Sequence, residues 1–275
     1  MKVVTLLENT ACTADLRHAH GLSLYLEAGS HRILFDMGPN AGFLENAEKL
    51  GVNLAAVDVA FLSHGHYDHA GGLELFCKRN KTAKIYVNRL AFGEFYAERE
   101  GQEPEYIGVD PKLERYHSRF VLTDAEVTVD AELRVFSDVR TNDYHSSAND
   151  TLRMKRGDDL PPDDFHHEQN LLITAEGKTV LLAGCAHRGI VNILRRAEEI
   201  LGKAPDAVIA GFHLYNPGTG EPEPRSLIEA VGRELADRPT MYYTGHCTGQ
   251  EAYDILKEIL GGRLNRLSGG AEFII

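Results

Sequence analysis

The chain has 275 residues, with 29 Lys and Arg against 41 Asp and Glu, a net charge of -12. Its 43% hydrophobic and 25% charged content is that of a globular protein and excludes a disordered or collagen-like chain. With no run of Lys or Arg longer than two residues, this acidity makes nucleic-acid binding unlikely, because a phosphate backbone requires a basic face. No apolar stretch approaches the roughly 18 residues that span a bilayer. The apolar run 3–7 is shorter than the roughly 7 to 15 residues of a secretory signal, so a cytoplasmic protein without membrane contact is expected. Cys12, Cys77, Cys185 and Cys247 lie far apart with no C-x-x-C pair, and reduced thiols are expected rather than a zinc knuckle or a disulfide framework.

In chain order, 21–27 and 31–35 read as strands joined by the turn Ala28-Gly29-Ser30, a hairpin signal. Positions 39–51 read as a loop and a short helix, with Phe43, Leu44, Ala47 and Leu50 at helical spacing. Strands are predicted at 57–63 and 84–87, and weaker ones at 120–122 and 126–129. Residues 137–167 are mostly polar, and a long loop of that kind is usually functional or mobile. A second hairpin is predicted at 170–174 and 178–183, then a helix at 189–201, a strand at 206–214, a helix at 226–236, a strand at 241–244, a helix at 249–260 and a last strand at 272–275. Apolar runs alternating with helical patterns define an α/β layered architecture. The second half repeats the grammar of the first, so one domain over 1–275 made of two similar halves is expected, with a variable insertion or lid at about 88–167.

Ser63-His64-Gly65-His66-Tyr67-Asp68-His69-Ala70-Gly71-Gly72 follows a predicted strand and packs three imidazoles and a carboxylate into six positions. Composition alone would produce H-x-H-x-D-H roughly two times in a thousand. Neutral imidazole and carboxylate suit zinc and neighbouring first-row ions, and open α/β sheets place ligands at the carboxyl ends of strands. His64 and His66 could hold one ion, and Asp68 and His69 a second.

This decapeptide resembles the signature of the metallo-β-lactamase-fold hydrolase superfamily. The similarity extends along the chain through His20-Gly21-Leu22-Ser23, Leu34-Phe35-Asp36-Met37-Gly38, Leu181-Leu182-Ala183-Gly184-Cys185-Ala186-His187, Gly211-Phe212-His213-Leu214 and Gly245-His246-Cys247-Thr248-Gly249. That set is similar to the branch named for dihydropterin-methyl-ribofuranosylaminobenzene-phosphate synthase. The resemblance implies a four-layer αββα sandwich of two mixed sheets face to face, with the metals at one end. It further implies His64, His66 and His187 as one metal site, and Asp68, His69 and His246 as the other. Asp36 matches the position that orients the metal loop in relatives. Many hydrolases of this fold carry a bridging aspartate where this chain has Cys185, which could be a thiolate ligand or a small buried residue. Glu168 matches a place where some relatives present an acidic group near the metals.

His213 is expected to contact substrate or stabilise an oxyanion, and His20 to line the pocket. His18, His31, His117, His145, His166 and His167 read as surface or loop residues, and Tyr67 and Cys247 as packing neighbours. Two divalent ions, zinc first and manganese or iron as alternatives, acidify a shared water for hydrolysis, with Asp68 as proton acceptor as well as ligand. The expected activity is hydrolysis of a phosphodiester or ester-type small molecule. The branch name offers the synthase-like transferase in pterin cofactor biosynthesis as the alternative. A metal-stabilised binding module or a di-iron oxidoreductase fits less well, because the donor set is open and there is no flavin domain. A homodimer is compatible with the sequence.

Overall fold

The computed structural model describes residues 1–275. One seven-stranded sheet runs, edge to edge, Glu272–Ile274, Lys2–Leu7, Ser23–Ala28, His31–Phe35, Val59–Leu62, Lys84–Asn88 and Phe120–Thr123. Its first four strands are antiparallel and the rest join in parallel. The other sheet runs Glu126–Thr128, Leu133–Phe136, Asn170–Ala175, Lys178–Leu182, Ala207–Gly211, Met241–Gly245 and Leu264–Arg266. It switches from antiparallel to parallel at the same fourth place. The repeated grammar of the sequence is thus a repeated topology, position for position.

Local chemistry sets the two hairpins. Ala28 pairs with His31 across the loop Gly29-Ser30, where Gly29 has φ 54. Ala175 pairs with Lys178 across Glu176-Gly177, both at positive φ, the conformation that matches strand twist in a two-residue loop.

The strands read as continuous apolar runs because both of their faces are covered. Ile33, Phe35, Val180 and Leu182 meet between the sheets. Leu34, Ala60 and Leu62 face the helices Gly42–Lys49 and Leu73–Arg79 through Phe43, Ala47 and Phe76. Leu181 and Val208 face the helices Ile190–Leu201, Arg225–Ala236 and Gln250–Leu260. The order helix, sheet, sheet, helix is the expected αββα sandwich.

Some boundaries differ from expectation. Strand Lys2–Leu7 and helix Leu73–Arg79 had no clear signal, the former lacking alternation because its residues are almost all buried. The span 88–167 is not wholly an insertion, since Phe120–Thr123, Glu126–Thr128 and Leu133–Phe136 are strands of the sandwich. The remainder forms a lobe in which Phe95–Ala97 pairs with both Glu105–Tyr106 and Leu152–Met154. The polar stretch 137–167 is also structured, with a 3-10 turn at Ser147–Thr151 ahead of that last strand.

Candidate metal centre

Strand Val59–Leu62 delivers the chain to Ser63 and His64, and a short helix at Tyr67–Ala70 carries Asp68 and His69 back over the sheet end. At Gly65 a Cβ would run into the carbonyl of Ala91 and the ring of Phe95, so the close crossing needs glycine. His187 follows strand Lys178–Leu182, His213 follows Ala207–Gly211, and His246 follows Met241–Gly245. All three strands are parallel neighbours, which puts these histidines at one end of the sandwich. Asp36, Ala186, His213 and His246 each have φ between 48 and 57, the left-handed region that non-glycine residues avoid.

The imidazole tautomers follow from fixed partners. The Ser63 hydroxyl donates to Asp36 Oδ2 at 2.7 Å and therefore accepts from His64 Nδ1 at 2.8 Å. His69 Nδ1 donates to Asp36 Oδ2 at 2.6 Å. His187 Nδ1 donates to Asn149 Oδ1 at 2.9 Å, with that amide's orientation set by its Nδ2 donating to the His187 carbonyl at 2.9 Å. His246 Nδ1 donates to Asn9 Oδ1 at 2.9 Å. In all four rings the Nδ1 proton faces outward and Nε2 faces inward, the arrangement metal-binding histidines use, although His69, where burial is outweighed by Asp36 and Asp68 and the pKa is pushed up to about 9, must give up its Nε2 proton to ligate.

Two main donor sets result, flanked by smaller groupings of Cys185 with His213 and Cys247 and of His66 with Asp163 and His167. The rings of His64, His66 and His187 form a near-equilateral triangle with centroids 4.6, 4.9 and 5.0 Å apart. Their three Nε2 atoms are buried and have no hydrogen-bond partner, which costs free energy unless a cation takes them up. In the other set His69 Nε2 lies 3.1 Å from Cys185 Sγ and 3.2 Å from His246 Nε2, and Cys185 Sγ is 3.3 Å from His246 Nε2. Asp68 Oδ2 is 3.3 Å from His246 Nε2 and 3.5 Å from His69 Nε2. A tetrahedron with metal–ligand bonds of about 2.0–2.3 Å has edges of roughly 3.3–3.8 Å, and these separations of 3.1–3.5 Å are close to that, so small shifts would let the four donors hold one ion. Cys185 also groups with His64 and His187, and Asp68 with His64 and His66, so these two side chains stand between the sets. The residues present therefore fit a metal centre, with the Cys185 thiol within reach of both halves.

Electrostatics agree. Burial and the neighbouring imidazoles hold His64 and His187 well below their ordinary pKa, leaving them neutral and able to ligate. Burial pushes Asp68 up, but His69 and His246 beside it outweigh this and hold its carboxyl well below the usual range. Burial and the adjacent Cys247 push the Cys185 thiol up, so a thiolate there requires the opposing charge of a cation.

The other expected residues take distinct places. Asp36 holds His69 and, through Ser63, His64. Glu168 accepts the backbone N–H groups of His187 at 2.7 Å and Arg188 at 3.0 Å, so it fixes the loop bearing His187 and joins none of the donor clusters. His20 Nε2 is 3.5 Å from Asp68 Oδ2 with its side chain 36% exposed, at the rim. His213 is buried with both ring nitrogens unpartnered, 4.2 Å from the His187 ring. Two readings need correction. His167 is a buried residue, accepting from Gly65 N–H at 3.0 Å through Nδ1 and meeting Asp163 Oδ2 at 3.1 Å through Nε2. Tyr67 is 43% exposed rather than packed. Asn9, Asn149 and Asp163 were not anticipated, because an isolated Asn or Asp in a loop carries no spacing signal.

Residues 18–246 match the family described as the metallo-beta-lactamase superfamily, and the chain belongs to it. The chain is 28% identical, over 98% of its length and 95% of the relative's, to 7,8-dihydropterin-6-methyl-4-(beta-D-ribofuranosyl)-aminobenzene-5'-phosphate synthase of Methanocaldococcus jannaschii. It is also 28% identical to the uncharacterized protein MJ0448 of the same organism, over 92% and 93% of the two chains. Among solved structures, Tm1679, described as a metal-dependent hydrolase of the beta-lactamase superfamily, superposes with a TM-score of 0.81 at 24% identity, covering 100% of this chain and 99% of that one. No helix is long and apolar enough to cross a membrane.

Proposed function

We propose that this protein is a metal-dependent hydrolase acting on a phosphodiester or ester-type small molecule. The observation that carries the reading is the pair of adjoining donor sets, in which inward Nε2 atoms, a carboxylate and a thiol would hold divalent ions at the sheet end, with only three histidines in the His64, His66 and His187 set. Divalent ions held there, zinc first, supply Lewis acidity that polarises the scissile group and acidifies water. The chain's own residues do the rest. Asp68, ionised beside His20, His69 and His246, takes the proton that water gives up. His213, with both ring nitrogens free, donates an N–H to the oxygen on which charge develops. His20 at the rim contacts the incoming substrate.

A second reading, condensation of a dihydropterin with a phosphorylated ribofuranosylaminobenzene, is favoured by the end-to-end similarity to the named synthase. The test is turnover of bis-p-nitrophenyl phosphate and of a thioester by zinc-, manganese- and iron-loaded protein, beside an assay for the condensation product. Ester turnover lost in His66→Ala and Asp68→Ala supports hydrolysis. Condensation without ester turnover overturns it in favour of the synthase.

A further inference from the structure

The lobe built from 88–119 and 137–167 reaches side chains of the metal centre at His66 and His187, and elsewhere meets only backbone, where Ile107 accepts the N–H of Tyr67 at 2.8 Å. Asn149, in the turn Ser147–Thr151, grips both Nδ1 and the carbonyl of His187. That turn is pinned in place by Glu223, whose Oε1 accepts from Ser146 Oγ, Ser147 Oγ and Ala148 N–H at 2.9, 2.8 and 3.0 Å. The Phe165 ring lies flat on the His187 ring, centroids 4.5 Å apart and planes 2° from parallel. Asp163, its side chain fully buried, places Oδ2 3.7 Å from His66 Nε2. It is held there by Phe165 N–H at 2.8 Å on Oδ1 and by His167 on Oδ2. Because His167 Nδ1 accepts from Gly65, its Nε2 must carry the proton and donate to Asp163, which ties the lobe to the metal loop beside His66.

None of these groups touches the other donor set. His69 is held by Asp36 and His246 by Asn9 and by Glu8, which accepts its backbone N–H. Those three residues follow strands of one sheet of the sandwich, Glu8 and Asn9 after Lys2–Leu7 and Asp36 after His31–Phe35.

We infer that the lobe supports the His64, His66 and His187 site, with Asn149 and Asp163 as its positioning residues, whereas the rings of His69 and His246 in the other site are held by the sandwich. The two sites are then separable: damage to the lobe empties one and spares the other. This rests on metal binding at both sets and not on which reaction the centre performs.

The experiment is zinc titration of the full-length protein, read by bound zinc per chain and by the nitrogen-15 shifts of the histidine rings, with far-ultraviolet circular dichroism to verify folding. In Asn149→Ala and Asp163→Ala the ion that shifts His64, His66 and His187 should bind roughly 10- to 100-fold more weakly, the usual effect of removing a ligand's supporting partner. The ion that shifts His69 and His246 should bind as in the wild type. Asn149→Asp, which keeps an acceptor for His187 Nδ1, should restore binding, and Asn9→Ala should show the reverse selectivity. Equal weakening of both sites, unchanged binding in both lobe variants, or a wild type that takes one ion without shifting His64, His66 and His187 overturns the inference. Wild-type protein that binds two ions and hydrolyses no ester refutes the proposed hydrolysis and leaves this inference standing.

Discussion

Asp36 Oδ2 and His69 Nδ1 are 2.6 Å apart, and the same carboxylate receives the Ser63 hydroxyl at 2.7 Å and the Ser63 amide at 2.7 Å. One buried residue therefore fixes a ring of each donor set, His69 directly and His64 by way of Ser63. Asp36→Ala is expected to weaken both ions by roughly 10- to 100-fold, unlike the one-sided lobe variants. Competition against a zinc chelator, followed by ring nitrogen shifts, checks this; loss confined to one site would count against it.

Cys185 Sγ lies 3.1 Å from His69 Nε2 and 3.3 Å from His246 Nε2, where it would give its sulfur to a metal held between them. Cobalt-substituted protein should show a thiolate-to-cobalt charge-transfer band, absent in Cys185→Ser. Cobalt should still bind the variant through Asp68, His69 and His246, more weakly. A band of unchanged intensity in Cys185→Ser would mean that the thiol is only packing.

His213 makes no hydrogen bond, and it groups with Cys185 and Cys247 close to the His187 ring without joining either main donor set, so its removal should affect turnover more than metal content. His213→Ala is expected to lower kcat by roughly 10²- to 10³-fold, the effect of losing one oxyanion donor, with two ions still bound. Metal loss that parallels the activity loss would reassign His213 to the ligands.

The metal-free protein should have a distinctive pH profile. Burial, together with the neighbouring imidazoles, lowers the pKa of His64, His66 and His187 below 6.5. For these the unfolded chain takes up protons first as pH falls, so their stabilisation is present above 6.5 and is lost below it. Burial opposes charge on His69 too, but Asp36 and Asp68 outweigh it and push its pKa up to about 9. Its contribution is complete below 6.5 and is lost as pH rises to about 9. Tm of the metal-free protein should therefore peak near pH 6.5, with the steeper fall on the acid side. A Tm that rises continuously into acid would sink this assignment.

Gly184 is a packing requirement of the centre. A Cβ there would press on the Ser63 hydroxymethyl group and come within 3.1 Å of His64 Nδ1, in a site where both atoms are already hydrogen-bonded. Gly184→Ala is expected to fold and to lose zinc affinity at His64, measurable as a rightward shift in the zinc titration. An unshifted titration would show that Ser63 can give way.

The architecture was readable because apolar runs, hairpin turns and helical spacing are local signals. The donors His64, His66, Asp68 and His69 were readable because they are packed into one motif. His187, His213 and His246 came from resemblance, since their neighbours in space are far apart in sequence. The groups that set tautomers were hardly legible, Asp36 excepted. Asn9 and Asn149 act through a single amide each, and His167 looked like a loop residue because the polarity of 163–168 hides how deeply that segment is buried. The expected insertion was drawn too wide for a related reason. Strands Phe120–Thr123 and Glu126–Thr128 lie at sheet edges, where exposure weakens the apolar pattern.

The left-handed backbone at Asp36, Ala186, His213 and His246 has a consequence for how this chain can evolve. Each such residue stores of the order of 1–3 kcal/mol, and glycine would release much of it. Ala186→Gly, between Cys185 and His187, is thus a substitution that can raise thermal stability while letting two donors drift apart. Four of the seven non-glycine residues with positive φ stand at the metal centre, so glycine substitutions that relax this backbone would there act on the donors, whereas Glu176→Gly in its hairpin turn would not.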